Sequence, residues 1–213
     1  MDFIDHDLRD YSEKFTSPEN EVLADLNRNT NAKVLYPQML AGHLQGRVLS
    51  MLSHMIKPKR VLEIGTFTGY SAICFAEGLA EGGMVHTIDI NEELEPMVAD
   101  YIKRSNFQDK ITQHIGNALD IIPTMDETFD MAYLDADKIN YDNYFDLVYP
   151  KMRKGGWIIT DNILWSGKVL KDREGLDKDT VAIKDFTERL HNDDRLENVV
   201  LPIRDGIYVA RVK

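Results

Sequence analysis

The sequence has a single cysteine, no long apolar run and a shortage of positive charge. With Cys74 alone, an intrachain disulfide and the multi-cysteine zinc sites are excluded. Cys74 falls in Ser71-Ala72-Ile73-Cys74-Phe75-Ala76, read as a buried helix face on which a free thiol is a small apolar filler. No stretch approaches the roughly 20 apolar residues of a spanning helix. The segment Met1-Asp2-Phe3-Ile4-Asp5-His6-Asp7 is acidic and has no apolar centre of the signal-peptide kind. The expectation is a soluble, cytoplasmic protein. Lys and Arg number 25 against 36 Asp and Glu, a net charge of -11, which disfavours sequence-independent binding to nucleic-acid phosphates or anionic membranes. Internal repeats, low-complexity tracts and an obvious linker are also missing.

What is present is an ordinary globular composition: 43% hydrophobic and 29% charged residues in a chain of 213, a size for one α/β domain with a buried core. Apolar spacing predicts helical segments through residues 1–57, clearest over 38–52, as an N-terminal cap on a core of 58–213. Met39, Met51 and Met55 read as core. Beyond Pro58 strands and helices alternate: strands over 60–64, 84–89, 111–115, 129–134 and 156–160, with helices over 70–80, 92–104, 118–124 and 140–151 between them. Single helices between strands mean a parallel sheet of βαβ units. After a helix near 180–192 the pattern changes. Strands over 198–203 and 206–212 flank Arg204-Asp205, and Asp205-Gly206 is a hairpin turn signal, so the sheet closes with an antiparallel pair.

Two of the strand ends carry chemistry. Asp135-Ala136-Asp137-Lys138 follows the strand over 129–134, and Asp161-Asn162 follows the strand over 156–160. Ligands of open parallel sheets bind beyond the carboxyl ends of the strands. If these two strands are neighbours, Asp135, Asp161 and Asn162 point oxygens at one spot, a donor set for a hard cation such as Mg²⁺ or Ca²⁺ and not for zinc. Acids and amides at strand ends also cap helices and turns, and the runs alone leave both readings open.

A third strand end is rich in glycine. Glu63-Ile64-Gly65-Thr66-Phe67-Thr68-Gly69-Tyr70-Ser71 joins the first strand to its helix, and Asp89 ends the second strand about 20 residues beyond Gly69, where a nucleoside binder places an acid on the ribose hydroxyls. A dinucleotide site wants G-x-G-x-x-G, with an amide-lined gap for a pyrophosphate. Here the spacing is Glu-x-Gly-x-x-x-Gly, and Glu63 would repel a diphosphate. A sulfonium with an amino-acid tail tolerates that acid, so S-adenosylmethionine fits better than NAD.

On these three stretches, and on Ile139-Asn140-Tyr141 and Ile163-Leu164-Trp165-Ser166-Gly167 after them, the chain resembles the class I, S-adenosylmethionine-dependent O-methyltransferases of the cation-dependent catechol and caffeoyl-CoA type. The likeness runs from about Gln38 to the C-terminus. It implies a Rossmann-like, doubly wound α/β sheet of seven strands, mostly parallel with an antiparallel C-terminal strand, helices on both faces and extra N-terminal helices. It implies that Glu63, Gly65, Thr66 and Ser71 line the methionine side of the cofactor, that Asp89 holds the ribose, and that Ala41, Phe67, Ala118, Asp135 and Asp137 complete the cofactor site. Some relatives carry tyrosine where this chain has Phe67.

Asp135, Asp161 and Asn162 become the implied ligands of a divalent cation (Mg²⁺, with Ca²⁺ or Mn²⁺ as alternatives), and Lys138 the implied base toward a hydroxyl of a catechol-like vicinal diol. The loop over 163–178 should cover the substrate, with Trp165 and Ser166 facing it. Two other functions stay open at this point: O-methylation of a hydroxylated uridine in tRNA, and a non-catalytic nucleoside-binding module. Relatives form homodimers, which makes a second copy the expected partner.

Overall fold

In the computed structural model, which describes residues 5–213, strand and helix alternate largely where hydrophobic periodicity and glycine turns place them. The reading of Met1–Asp7 falls mostly outside the described residues. The chain divides into two compact units at Ala118/Leu119.

In the unit Asp7–Ala118, helices α1 (His6–Lys14), α2 (Glu21–Lys33) and α3 (Gly42–Ile56) precede β1 (Arg60–Ile64), α4 (Tyr70–Glu77), β2 (Met84–Asp89), α5 (Glu95–Arg104) and β3 (Ile111–Ile115). Strands β1, β2 and β3 pair in parallel in the order β3-β2-β1, with Ile64 beside Ile88 and Ile88 beside His114. Asn20 starts α2 by accepting a hydrogen bond from Leu23 N–H at 2.9 Å, a side-chain cap for an otherwise orphaned donor. The short helix α4 is buried from Tyr70 to Ala76, which is why its sequence is apolar on every side. Cys74 is fully buried there, and burial pushes its thiol well above the ordinary range, as suits an inert filler.

The three methionines expected in the core are outside it. Met39, Met51 and Met55 are 59%, 61% and 76% exposed. The cause lies in how α3 packs: its buried face is Gln45, Gly46, Leu49, Ser50 and Ser53, small and polar residues that let α4 come close. A Cβ on Gly46 would overlap the ring of Tyr70. Arg47 pairs with Glu77 at 2.9 Å, and Ser50 Oγ donates to the same carboxylate at 2.5 Å. The helix seam is polar, so Met51 and Met55 fall on the other side; Met39 lies before α3, in the short turn Pro37–Met39.

In the unit Leu119–Lys213, most of α6 (Ala118–Thr124) is followed by β4 (Phe129–Leu134), α7 (Tyr141–Val148), β5 (Met152–Thr160), α8 (Lys178–His191), β6 (Leu196–Leu201) and β7 (Ile207–Val212). Strands β4 and β5 are parallel with Leu134 beside Thr160; β7 runs antiparallel to β5 and to β6, in the order β4-β5-β7-β6. The terminal antiparallel pair stands as expected, with Arg204-Asp205-Gly206 in its turn, but β6 lies two residues earlier than the strand predicted over 198–203. Strand β5 starts four residues before the predicted strand, because Met152 pairs with Phe129 ahead of a bulge, in which Gly155 has φ 76°, and pairing resumes at Met131 and Trp157. Among the described residues the strands number seven. No helix among the described residues is long and apolar enough to cross a membrane.

Candidate functional site

The glycine turn is built from β1 and β2 in register. Glu63 lies beside Thr87 and Ile64 beside Ile88, so Gly65 and Asp89 leave the sheet together. Gly65 N–H donates to Ile88 O at 2.9 Å and Gly69 N–H to Thr66 O at 2.8 Å. The loop needs positive φ at Gly65 (105°), Phe67 (49°) and Gly69 (85°), which glycine adopts freely and phenylalanine does not. Phe67 is held there by its N–H, which donates to Asp89 Oδ2 at 2.7 Å, while Asn91 N–H donates to Asp89 Oδ1 at 2.9 Å. The acid that ends β2 is thus fixed in orientation, with its remaining lone pairs available.

Beneath the turn runs a buried polar chain. Thr87 Oγ1 donates to Glu63 Oε2 at 2.5 Å and lies 2.5 Å from Thr66 Oγ1. Since the Thr87 proton goes to Glu63, Thr66 is the donor between the two threonines. Glu63 and Thr87 are fully buried, and Thr66, Ser71, Ala41 and Ala118 are buried to above nine-tenths. The carboxylate of Glu63 therefore anchors Thr66 from inside. Thr30 on α2 donates to Thr68 Oγ1 at 3.2 Å, an N-terminal support of the turn that no local sequence signal announces. Tyr70, which starts α4, donates to Glu19 Oε1 at 2.5 Å.

In the other unit, the register of β4 and β5 makes the two acidic runs neighbours. Asp161 N–H donates to Leu134 O at 3.0 Å, so Asp135 and Asp161 each stand one residue past a paired position. Tyr133 OH donates to Asp161 Oδ2 at 3.0 Å and lies 3.5 Å from Asp135 Oδ2. One hydroxyl thus spans both carboxylates. Asn162 has φ 59°, and its N–H donates to Asp161 Oδ1 at 2.7 Å. Lys138 Nζ donates to Asp135 Oδ1 at 3.2 Å and to Tyr141 OH at 2.7 Å; Tyr141 OH donates to Asp161 O at 3.1 Å.

Burial pushes the Asp135 carboxyl up to about 7, with the Lys138 ammonium opposing and the Asp161 charge reinforcing. Burial, and then the charges of Asp135 and Asp161, hold the Tyr141 phenol well above its usual range, so that it keeps its proton. Asp137 turns to the start of α7, accepting from Asn140 Nδ2 at 2.5 Å and from Tyr144 OH.

Trp165 follows at the head of a loop with three consecutive positive φ values, 43° at Trp165, 53° at Ser166 and 73° at Gly167. The hairpin turn between β6 and β7 holds it: Leu164 N–H donates to Asp205 O at 2.8 Å, Ser166 N–H to Asp205 Oδ1 at 2.5 Å, and Ile163 N–H to Gly206 O at 3.1 Å. The Trp165 ring lies 5.9 Å from the Lys138 ammonium and 5.7 Å from that of Lys168, within reach of cation–π attraction. Tyr133, Tyr141 and Asp205 were not singled out as site residues in the sequence. Tyr141 had a signal, three residues after Lys138 and so on the same side of a helical turn; the other two had none.

The chemistry of the donors decides what the acidic cluster could hold. Among the described residues no three His, Cys, Asp or Glu side chains gather as a metal-binding group, so a cation would rest on two carboxylates and the Asn162 amide. Oxygen donors with two negative charges, confined by one tyrosine, suit a hard divalent ion.

Comparison with known proteins matches the chain over residues 12–213 to the O-methyltransferase family. It is 34% identical to the caffeoyl-CoA O-methyltransferase of Medicago sativa over 204 residues, 91% of this chain and 82% of that protein. Among solved structures, an O-methyltransferase from Bacillus cereus in complex with SAH is 30% identical and superposes with a TM-score of 0.89 over 97% of both chains. The O-methyltransferase TomG from Streptomyces achromogenes, solved in complex with SAM, is 27% identical with a TM-score of 0.89 over 97% of this chain and 96% of that one.

Proposed function

The chain belongs to the S-adenosylmethionine-dependent O-methyltransferases of the caffeoyl-CoA type, and from that premise we propose that it methylates a hydroxyl of a catechol-like vicinal diol with the help of a divalent cation. Membership of an enzyme family sets aside the non-catalytic nucleoside-binding reading. One observation carries the proposal: Asp135 and Asp161 stand under a single tyrosine hydroxyl, with the Lys138 amine on Asp135. Asp135, Asp161 and Asn162 would hold the cation, which when bound would acidify a chelated hydroxyl and fix which of two adjacent oxygens attacks. Glu63, Gly65, Thr66, Phe67, Ser71 and Asp89, with Ala41, Ala118, Asp135 and Asp137, would bind the methyl donor.

The chain's own part is orientation and proton transfer. Lys138 takes the proton of the attacking hydroxyl on Nζ. Trp165 offers a ring face to an aromatic acceptor and Ser166 a backbone held rigid by Asp205. Holding donor and acceptor in line removes much of the entropic barrier, worth several kcal/mol in well-oriented reactions, on the order of 7–11 at the limit. The exposed apolar residues Leu35, Tyr36, Met39, Met51 and Met55 support the expectation of a homodimer, which sedimentation at two concentrations tests.

The decisive experiment offers a panel of catechols, and unmodified and hydroxylated tRNA, each with Mg²⁺ and with chelator. Catechol methylation that chelator abolishes and Mg²⁺ restores is the expected result. Turnover indifferent to chelator, or confined to tRNA, refutes the proposal.

A further inference from the structure

Tyr141 is fully buried, carries a titratable hydroxyl, and has no part in the chemistry described so far. Its hydroxyl is committed on both sides. It gives its proton to the backbone oxygen of Asp161 at 3.1 Å and receives a hydrogen bond from Lys138 Nζ at 2.7 Å. Its ring is fixed by Phe186 on α8, edge to face with centroids 5.3 Å apart, and lies 4.9 Å from the same ammonium. A phenol whose proton is already placed can only accept from the lysine.

That matters for where the lysine nitrogen sits. Nζ donates to Asp135 Oδ1 at 3.2 Å and to Tyr141 OH at 2.7 Å, and the two acceptors together fix its place. With Tyr141 absent, the lysine chain has four rotatable bonds and one remaining anchor on Asp135, and Nζ wanders.

We propose that Tyr141 is a positioning residue: it spends its own proton on Asp161 so that it can only accept from Lys138, and thereby holds Lys138 Nζ in its place beside Asp135. The inference rests on the proton-accepting role given to Lys138 above.

Two measurements on Tyr141→Phe test it. Crystal structures of wild type and variant need no acceptor: Lys138 Nζ should leave its place in the variant while Asp135 and Asp161 stay, and an unmoved Nζ overturns the proposal. Turnover of a simple catechol with Mg²⁺ and tritiated methyl donor should show kcat reduced roughly tenfold, the scale of one lost hydrogen bond, with both KM values unchanged. Placed in a Lys138→Ala background and assayed over long incubations, the same substitution should add no further loss, because both changes remove one function. Multiplying losses, or a rise in KM without a fall in kcat, overturn the proposal. Full turnover by Lys138→Ala, or no turnover of catechol by wild type, refutes the function assigned above and leaves the crystal comparison to decide Tyr141.

Discussion

Replacing Thr87 by valine removes one hydroxyl with two duties beneath the glycine turn. Thr87 donates to Glu63 and accepts from Thr66, each at 2.5 Å, and all three side chains are buried. A hydrogen bond to a charged group contributes about 1.5–3 kcal/mol and a neutral one about 1 kcal/mol. Valine fills the space but supplies neither, so Thr87→Val should lose about 3 kcal/mol. For a chain of this size each kcal/mol moves Tm by about 2–4 °C, which puts the drop at about 6–12 °C.

Urea melts followed by circular dichroism give the free energy, and calorimetry with S-adenosylhomocysteine gives the effect on the turn that Thr66 belongs to. Thr87→Ser keeps the hydroxyl and loses a methyl, and should cost only about 1 kcal/mol. Adding Glu63→Gln to Thr87→Val should recover part of the loss, since an amide is cheaper to bury short of a donor than a carboxylate. A Thr87→Val protein as stable as wild type, or a Thr87→Ser protein just as damaged, refutes the buried-chain reasoning.

Lys138→Ala should lower turnover by at least about 100-fold, the lower end for a positioned general base, while binding of S-adenosylhomocysteine by calorimetry stays unchanged; unaltered turnover sinks its role. Gly206 has φ 86°, and a Cβ there would overlap Leu164 Cγ and come within 3.0 Å of Leu164 N, so Gly206→Ala should destabilise by roughly 2–4 kcal/mol in urea and disturb the Trp165 loop. An acceptor KM and stability equal to wild type would show that loop and turn are not coupled. Asp25 is held down to about 2 by hydrogen bonds from Arg104, Tyr101 and Arg28. A depressed carboxyl stabilises above its unfolded value and loses that contribution as pH falls through its folded value. The stability gap between wild type and Asp25→Asn should therefore be full at pH 6 and shrink toward pH 2; a gap independent of pH contradicts it.

Much of the sheet was legible because the signals are local. Strands β1, β2, β3 and β4 sit where alternating apolar residues end in a glycine or an acid, and Asp205-Gly206 marks a turn by backbone preference alone. The three strand ends that carry Gly65, Asp135 and Asp161 could be read the same way, since acids and glycines are placed there by turn chemistry as well as by function. Met51 and Met55 show where this reasoning stops. Periodicity finds a helix, but Gly46 and the Arg47–Glu77 pair decide which side of α3 faces α4, and apolar content alone would have turned it the other way.

From the sequence alone follow the α/β class, the exclusion of an intrachain disulfide, the glycine turn between the first strand and its helix, and the identity of the acidic residues. Folding had to decide that Asp135 and Asp161 are neighbours, that Tyr133 spans them, that Tyr141 reaches from Lys138 to the Asp161 backbone, and that Asp205 holds the Trp165 loop. Those relations join residues 20 or more apart in the chain, or depend on which rotamer a buried tyrosine takes. Hydrophobic pattern specifies the face a residue shows; only packing and strand register specify whose oxygen lies 3 Å from whose proton.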